Sequence, residues 1–263
     1  MIKLVTCDID GTLLMEGEWE LDPAFFDIIR RLLARGIAFA AASGRQHYRL
    51  RKMFEPVAKD IFFICENGAV VYEGDTLLSE TRLDPIKART LMEQILAHPE
   101  CEILISGAKS CYLLPKKGED CAYVRHIRDT LGYRTKIVRS LDEIDEPVVK
   151  VTASRWDGVD AILDDFAMWN TEFSAAVAGK EWLDFTLADK GTGLDDITRR
   201  MGISNADVMS FGDNFNDLPL LEKVGHPYVM ENGAPALKAR FENHCVRVAD
   251  TLEEFLAKLD TKN

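Results

Sequence analysis

The sequence predicts an α/β protein with a doubly wound, largely parallel β-sheet core and an inserted α+β segment. Three observations carry this. Short apolar, β-branched runs alternate with stretches of 3.6-residue periodicity toward both ends of the chain. Each run gives way to a polar or glycine-containing string, as strands do where they open into loops. The rhythm is lost near Thr81 and resumes after Lys190, leaving a separate unit between.

Residues 2–7 form the first strand and run straight into the turn-forming Asp8-Ile9-Asp10-Gly11-Thr12. Asp22-Pro23 places a cap and a proline ahead of Phe25, Ile28, Ile29, Leu32 and Leu33, with Gly36 behind, so this helix has both ends marked. Residues 37–42 and 61–65 are further strands, ending at Ser43-Gly44-Arg45 and Glu66-Asn67-Gly68, and 70–72 with 76–78 flank Glu73-Gly74-Asp75 as a hairpin. The insert reads as a helix over 85–97, strands over 102–106 and 111–115, a helix near 122–131, a strand over 148–153, a helix near 158–166 and two short strands. The α/β rhythm returns with a helix over 191–201, a strand over 208–211, a helix over 217–224, a strand over 228–230 and a final helix opened by Asp250-Thr251. Glu-Asn-Gly-Ala occurs at 66–69 and again at 231–234, too short a match to indicate duplication.

At 263 residues the chain suits one to two domains, and Lys+Arg 32 against Asp+Glu 44 gives a net charge of −12. A duplex-binding protein presents a basic face, so no nucleic acid is expected as a partner. No apolar run approaches the ~18 residues of a membrane span, and the first strand meets Asp8 before a signal-peptide core could form, so no membrane partner and a cytoplasmic location are expected. The six cysteines form no CxxC pair and are expected to be reduced and mostly buried. Cys121 with His126 and Cys245 with His244 lack the further pair a tetrahedral metal site needs. The sequence assigns no oligomeric state.

Four polar strings fall at strand ends or helix starts. In extended backbone Asp8 and Asp10 project to one face, about 6.6–6.8 Å apart. Ser43-Gly44 offers a hydroxyl and unobstructed backbone N–H groups to an anion, and Lys190-Gly191 sets a cation at a helix N-terminus. Gly212-Asp213-Asn214-Phe215-Asn216-Asp217 adds two acids with an amide between them. Each string alone is an ordinary turn, cap or solvated charge. Together they converge on the crevice outside the carboxyl ends of a parallel sheet.

In this order the strings resemble the four motifs of the haloacid dehalogenase superfamily, and the insert resembles the α/β cap of its Cof-type, subclass IIB sugar-phosphatase branch. The resemblance implies a Rossmann-like catalytic core over 1–81 and 186–263 with a substrate-specificity cap over 82–185. It further implies an Mg²⁺-dependent phosphatase acting on a small phosphorylated metabolite, probed first among sugar phosphates, then pyridoxal phosphate and flavin mononucleotide. Asp8 would be the nucleophile forming an aspartyl-phosphate, and Asp10 the general acid and base. Ile9 through its backbone N–H, Ser43, Gly44, Lys190 and Asn216 would hold the phosphoryl oxygens. Asp8, Asp213 and the backbone carbonyl of Asp10 would bind the metal, with Asp217 orienting Lys190 or supporting the metal ligands. Arg45 and Asn67 either face substrate or make structural hydrogen bonds. The surroundings of Cys111 and Tyr112 and residues 179–184 are where cap specificity is sought. Two features depart from the family pattern: Cys7 stands before the nucleophile in place of an aromatic, and Thr186-Leu187-Ala188-Asp189 leads into Lys190, with Asp189 either weakening the local positive charge or capping the helix. A phosphomutase or phosphotransferase with the same nucleophile is the nearest alternative, and a non-catalytic phosphate-binding signalling module the next.

Overall fold

The computed structural model describes residues 1–261. In chain order the elements begin with β1 (Leu4–Asp8), α1 (Pro23–Leu33), β2 (Ala38–Ala42), α2 (His47–Met53), β3 (Phe62–Cys65), β4 (Val70–Glu73) and β5 (Thr76–Glu80). Next come α3 (Pro85–Ala97), β6 (Glu102–Gly107), β7 (Cys111–Leu113), α4 (Ala122–Arg125), β8 (Thr135–Ile137), β9 (Val148–Ser154), α5 (Leu163–Phe166), β10 (Ser174–Ala178) and β11 (Trp182–Thr186). The chain closes with α6 (Lys190–Met201), β12 (Val208–Gly212), α7 (Leu218–Leu221), β13 (His226–Met230), α8 (Pro235–Lys238), β14 (His244–Cys245) and α9 (Val248–Asp260).

These elements fall into two units, one of Met1–Arg45, Leu50–Ser79 and Asp189–Asn263, the other of Gln46–Arg49 and Glu80–Ala188. The division lies at 79/80 and 188/189 where the sequence predicts 81/82 and 185/186. Gln46–Arg49 joins the second unit because the Gln46 Oε1 accepts the Arg134 backbone N–H at 3.1 Å.

In the first unit eight strands run in the order β14-β13-β12-β1-β2-β3-β4-β5. Pairing is parallel from β14 through β3 and antiparallel between β3 and β4. The chain steps from β1 outward through β2 and β3, and later from β12 outward the other way, so the strand order reverses between β1 and β12. In open α/β sheets such a switch point leaves a crevice at the carboxyl ends of the two strands. Strand β1 is therefore flanked on both sides and covered on both faces, which is why five consecutive residues of it are buried.

Both faces of this sheet carry apolar layers. On one, Leu194 and Ile197 of α6 and Leu220 of α7 pack on Leu4, Ala40, Ile64 and Val208. Elsewhere in the unit Phe54 meets the rings of Phe26, Phe39 and Phe63 at centroid distances of 6.3, 6.0 and 6.2 Å. The second unit holds a six-stranded sheet, order β10-β11-β9-β6-β7-β8, antiparallel except for β7 with β8.

Several elements differ from expectation for local reasons. Helix α2 is unannounced because only Leu50 of its seven residues is buried, too few for a periodic stripe. The helix expected near 122–131 is α-helical only to Arg125 and then widens into a π-type turn over His126–Thr130. Around 158–166 two 3₁₀ turns flank the single turn of α5. The helix expected over 217–224 shrinks to α7, preceded by a 3₁₀ turn over Phe215–Asp217 that Asn214 caps.

Phe54 is fully buried among three other rings. Phe54→Ala is expected to cost about 3–5 kcal/mol in denaturant unfolding, and a loss below about 1 kcal/mol would contradict the packing described.

Candidate active site

Every polar string lies at the carboxyl end of a strand of the first unit or opens the helix α6. Asp8 ends β1 and is buried, 4% exposed. Gly11 follows at φ +88°, and a Cβ there would collide with the Asp213 carboxylate, so only glycine lets the two loops meet. Thr12 Oγ1 donates to Asp213 Oδ1 at 3.3 Å across the same gap. Asp213 itself stands just beyond β12, on the far side of the switch point.

Lys190 ties the site together. It is the first residue of α6, held there by a capping box in which Asp189 accepts the Thr192 N–H and Thr192 reaches back to the Asp189 backbone. Asp189 thus caps the helix, one of the two roles the sequence leaves open. The Lys190 side chain is fully buried, and its Nζ lies 2.5 Å from both Asp8 Oδ1 and Asp217 Oδ1. Asp217 Oδ2 in turn accepts the backbone N–H groups of Asp213 at 3.0 Å and Asn214 at 3.1 Å. Both oxygens of Asp217 are engaged, so this residue fixes Lys190 on one side and the Asp213 loop on the other.

The electrostatics follow from burial. Desolvation, then the Asp217 charge, pushes the Asp8 carboxyl well above its usual range, against the opposing pull of Lys190. Asp213 is raised for the same two leading reasons. Burial alone would lower the Lys190 ammonium, but Asp217 and Asp8 outweigh it and hold it above its ordinary value. Lys190 therefore stays charged, and the shortage of positive charge falls on the carboxylates. Asp8, Asp213 and Asp217 bring oxygens within 4.8 Å of one another, and one ammonium among three carboxylates leaves two negative charges uncompensated. An all-oxygen set short of positive charge fits a hard divalent cation, with Asp8 and Asp213 as its carboxylates because Asp217 is committed elsewhere.

Asp10 lies outside this group. Its carboxylate is held by the Arg45 guanidinium, Nε to Oδ2 at 2.9 Å and Nη2 to Oδ1 at 2.5 Å. Any contact of Asp10 with a metal therefore falls to its backbone carbonyl, not its side chain. Ser43 is buried, and its Oγ accepts the Arg45 N–H at 3.2 Å. Gly44 lies against the Asn67 side chain. Asn216 is exposed on the 3₁₀ turn Phe215–Asp217. Ile9 is fully buried, its carbonyl accepting the N–H groups of Thr12, Leu13 and Leu14.

Sequence reasoning missed how much the two Glu-Asn-Gly-Ala strings contribute. The first turns through Glu66 and Asn67, the two non-glycine residues with positive φ among those described, at +50° and +55°. Asn67 donates its backbone N–H to the Ser43 carbonyl at 3.1 Å, and a Cβ on Gly68 would collide with the Asp189 carbonyl, so this loop wedges the Ser43 and Lys190 elements together. The second string lies beyond β13. There Asn232 donates to the Gly11 carbonyl at 2.8 Å and the Ala234 N–H to the Asp213 carbonyl at 3.0 Å. The signal available was position: both strings follow apolar runs of the core.

The profile of the haloacid dehalogenase-like hydrolases matches residues 5–250. A 5-amino-6-(5-phospho-D-ribitylamino)uracil phosphatase of Escherichia coli (strain K12) is 29% identical over 252 residues, covering 90% of this chain and 88% of the relative. An HMP-PP phosphatase of Enterobacter sp. (strain 638) is 27% identical over 262 residues, covering 93% and 92%. Among solved structures, a protein of Eubacterium rectale superposes with a TM-score of 0.87 at 27% identity over 97% of this chain and 99% of its own. Among the described residues no helix is long and apolar enough to cross a membrane.

The charge imbalance makes a direct prediction. Millimolar Mg²⁺ is expected to raise the thermal unfolding midpoint relative to chelator-treated protein, with about 2.7 kcal/mol of stabilisation at a hundredfold excess over Kd. Asp213→Asn should remove most of that shift. A shift of equal size in the variant would contradict Asp213 as a ligand.

Proposed function

The chain belongs to the haloacid dehalogenase-like hydrolases and is an enzyme of that family, and we propose that it is an Mg²⁺-dependent phosphatase of small phosphomonoesters, sugar phosphates foremost, working through an aspartyl-phosphate. The observation that carries this is the buried Lys190 shared by Asp8 and Asp217 at the switch point, with Asp213 alongside. The naming of both bacterial relatives as phosphatases supports it.

A phosphomonoester brings nearly two negative charges toward carboxylates that are already in excess, so uncompensated approach is repulsive. Mg²⁺ held by Asp8, Asp213 and the Asp10 backbone carbonyl supplies that compensation when bound. An Asp8 carboxylate oxygen attacks phosphorus, and the ester P–O bond breaks as Asp10 passes a proton to the departing alcohol. Asp10 then takes a proton from the water that attacks the aspartyl-phosphate, releasing phosphate and restoring Asp8. Lys190, fixed by Asp217, stabilises the phosphoryl oxygens in flight, while Ser43, the N–H groups of Ile9 and Gly44, and Asn216 hold them. Arg45 grips both Asp10 oxygens and so sets the direction in which that carboxyl faces.

Purified protein with Mg²⁺ is expected to release phosphate from p-nitrophenyl phosphate, and Asp8→Asn to abolish this; undiminished turnover in the variant would exclude Asp8 as nucleophile. Asp10→Asn should slow turnover ~10²–10⁴-fold, and a change within a factor of about two would exclude acid-base work by Asp10.

A further inference from the structure

Sheet edges expose unpaired backbone groups, and the two sheets end at four of them: β14 and β5 in the first unit, β10 and β8 in the second. Three are blunted. Strand β14 is two residues long, β8 is three residues long with the exposed Lys136 at its centre, and β5 ends in Glu80, whose carboxylate is held by Arg82. Strand β10 has none of these protections. Its five residues, Ser174-Ala175-Ala176-Val177-Ala178, include no charge and no proline, and they pair with β11 in unbroken register.

The strand also leaves apolar surface uncovered. Ala175 lies across from Phe185 and Val177 across from Leu183, residues that enter the larger apolar core, so both share that face of the sheet. Yet Ala175 is exposed and Val177 is 47% exposed, so the core layer ends at β11. The 3₁₀ turn Ala167–Thr171, which packs against β10, adds Met168 at 66% exposure. On its outer edge β10 pairs with no other strand among the described residues.

The charges flanking the strand match those of a second copy. Glu172 precedes β10 and Lys180 follows it, each four residues from Ala176. A two-fold axis through Ala176 pairs the strand with itself in the antiparallel sense: Ala175 meets the partner's Val177, Ser174 meets the partner's Ala178, and Glu172 meets the partner's Lys180. Lys87 engages Glu172 at Oε2, and Lys180 is exposed with no ion pair among the described residues. Such a pairing is isologous, so each favourable contact occurs twice. A parallel or shifted pairing loses the match.

We propose that the outer edge of β10 is a self-association surface: two copies of this chain join edge to edge, antiparallel and centred on Ala176, so that their six-stranded sheets become one. Backbone hydrogen bonds supply the attraction, and the Glu172–Lys180 pairs set the register. The join covers Ala175 and Val177. One strand and its flanks make a small interface, below about 1,200 Å² in total, so the dimer exchanges with monomer and a Kd on the order of 10–100 µM is expected.

Analytical ultracentrifugation of the full-length protein from about 1 to 500 µM, a range that spans the affinities of small interfaces, tests this. The wild type is expected to pass from monomer to dimer over that range, and Val177→Lys, which charges an exposed position of the edge, to weaken association about tenfold or more. Glu172→Lys and Lys180→Glu should each weaken it about three- to tenfold, since each sets two like-charged pairs across the axis. An equimolar mixture of these two variants should recover most of the wild-type affinity, because both cross-pairs are again opposite in charge; damage to the fold would not be rescued by mixing. A wild type that is monomeric at every concentration overturns the proposal. So does a dimer unaffected by Val177→Lys or by the single charge variants, and so does a weakening that mixing fails to reverse.

Discussion

Lys190 is an ammonium buried completely between two carboxylates, and the site is organised around the cost of keeping it there. Placed first in α6, it is fixed by the Asp189 capping box and faces the ends of β1 and β12. Asp217 is committed on both oxygens, to Lys190 and to the Asp213 loop, so movement of one would be felt by the other. Removing Lys190 alone would leave buried carboxylates unpaired, a loss of about 3–5 kcal/mol in comparable cases. Its partners and position are thus tied to stability as well as to chemistry.

That arrangement still leaves more negative than positive charge. Without a further cation Asp8 resists ionisation, because burial and Asp217 both act against its charge. In the proposed mechanism a nucleophile held back in this way would be released by the same divalent ion that admits an anionic substrate. The molecule's overall charge of −12 is therefore no obstacle to binding phosphate: the sign that matters is local.

Much of this was legible in the sequence because it is written in short-range signals. Capped amphipathic helices such as α1 and α3 carry their own punctuation, and the central parallel strands β1, β2 and β12 are apolar runs that give way to an acid, a serine or a glycine. Asp8, Ser43, Lys190 and Asp213 stand where strand ends and a helix start put them. The rest depends on contacts remote in sequence. Nothing local says that Arg45 grips Asp10, that Asn232 reaches the Gly11 carbonyl across 221 residues of chain, or that Glu66 and Asn67 turn left-handed to wedge two elements together. The buried contact between Lys150 Nζ and Asp184 Oδ2, 3.2 Å long in the second unit, is likewise invisible until β9 and β11 are in register.

In the proposed mechanism a carboxylate oxygen of Asp8 becomes covalently attached to phosphorus. Acid-quenching the enzyme during turnover of a ³²P-labelled sugar phosphate, reducing the product with borohydride and mapping the modified peptide tests it most directly. The structure predicts label on the protein at steady state and a reduced residue at position 8. Turnover with no label on the protein, or label confined to another residue, would contradict it.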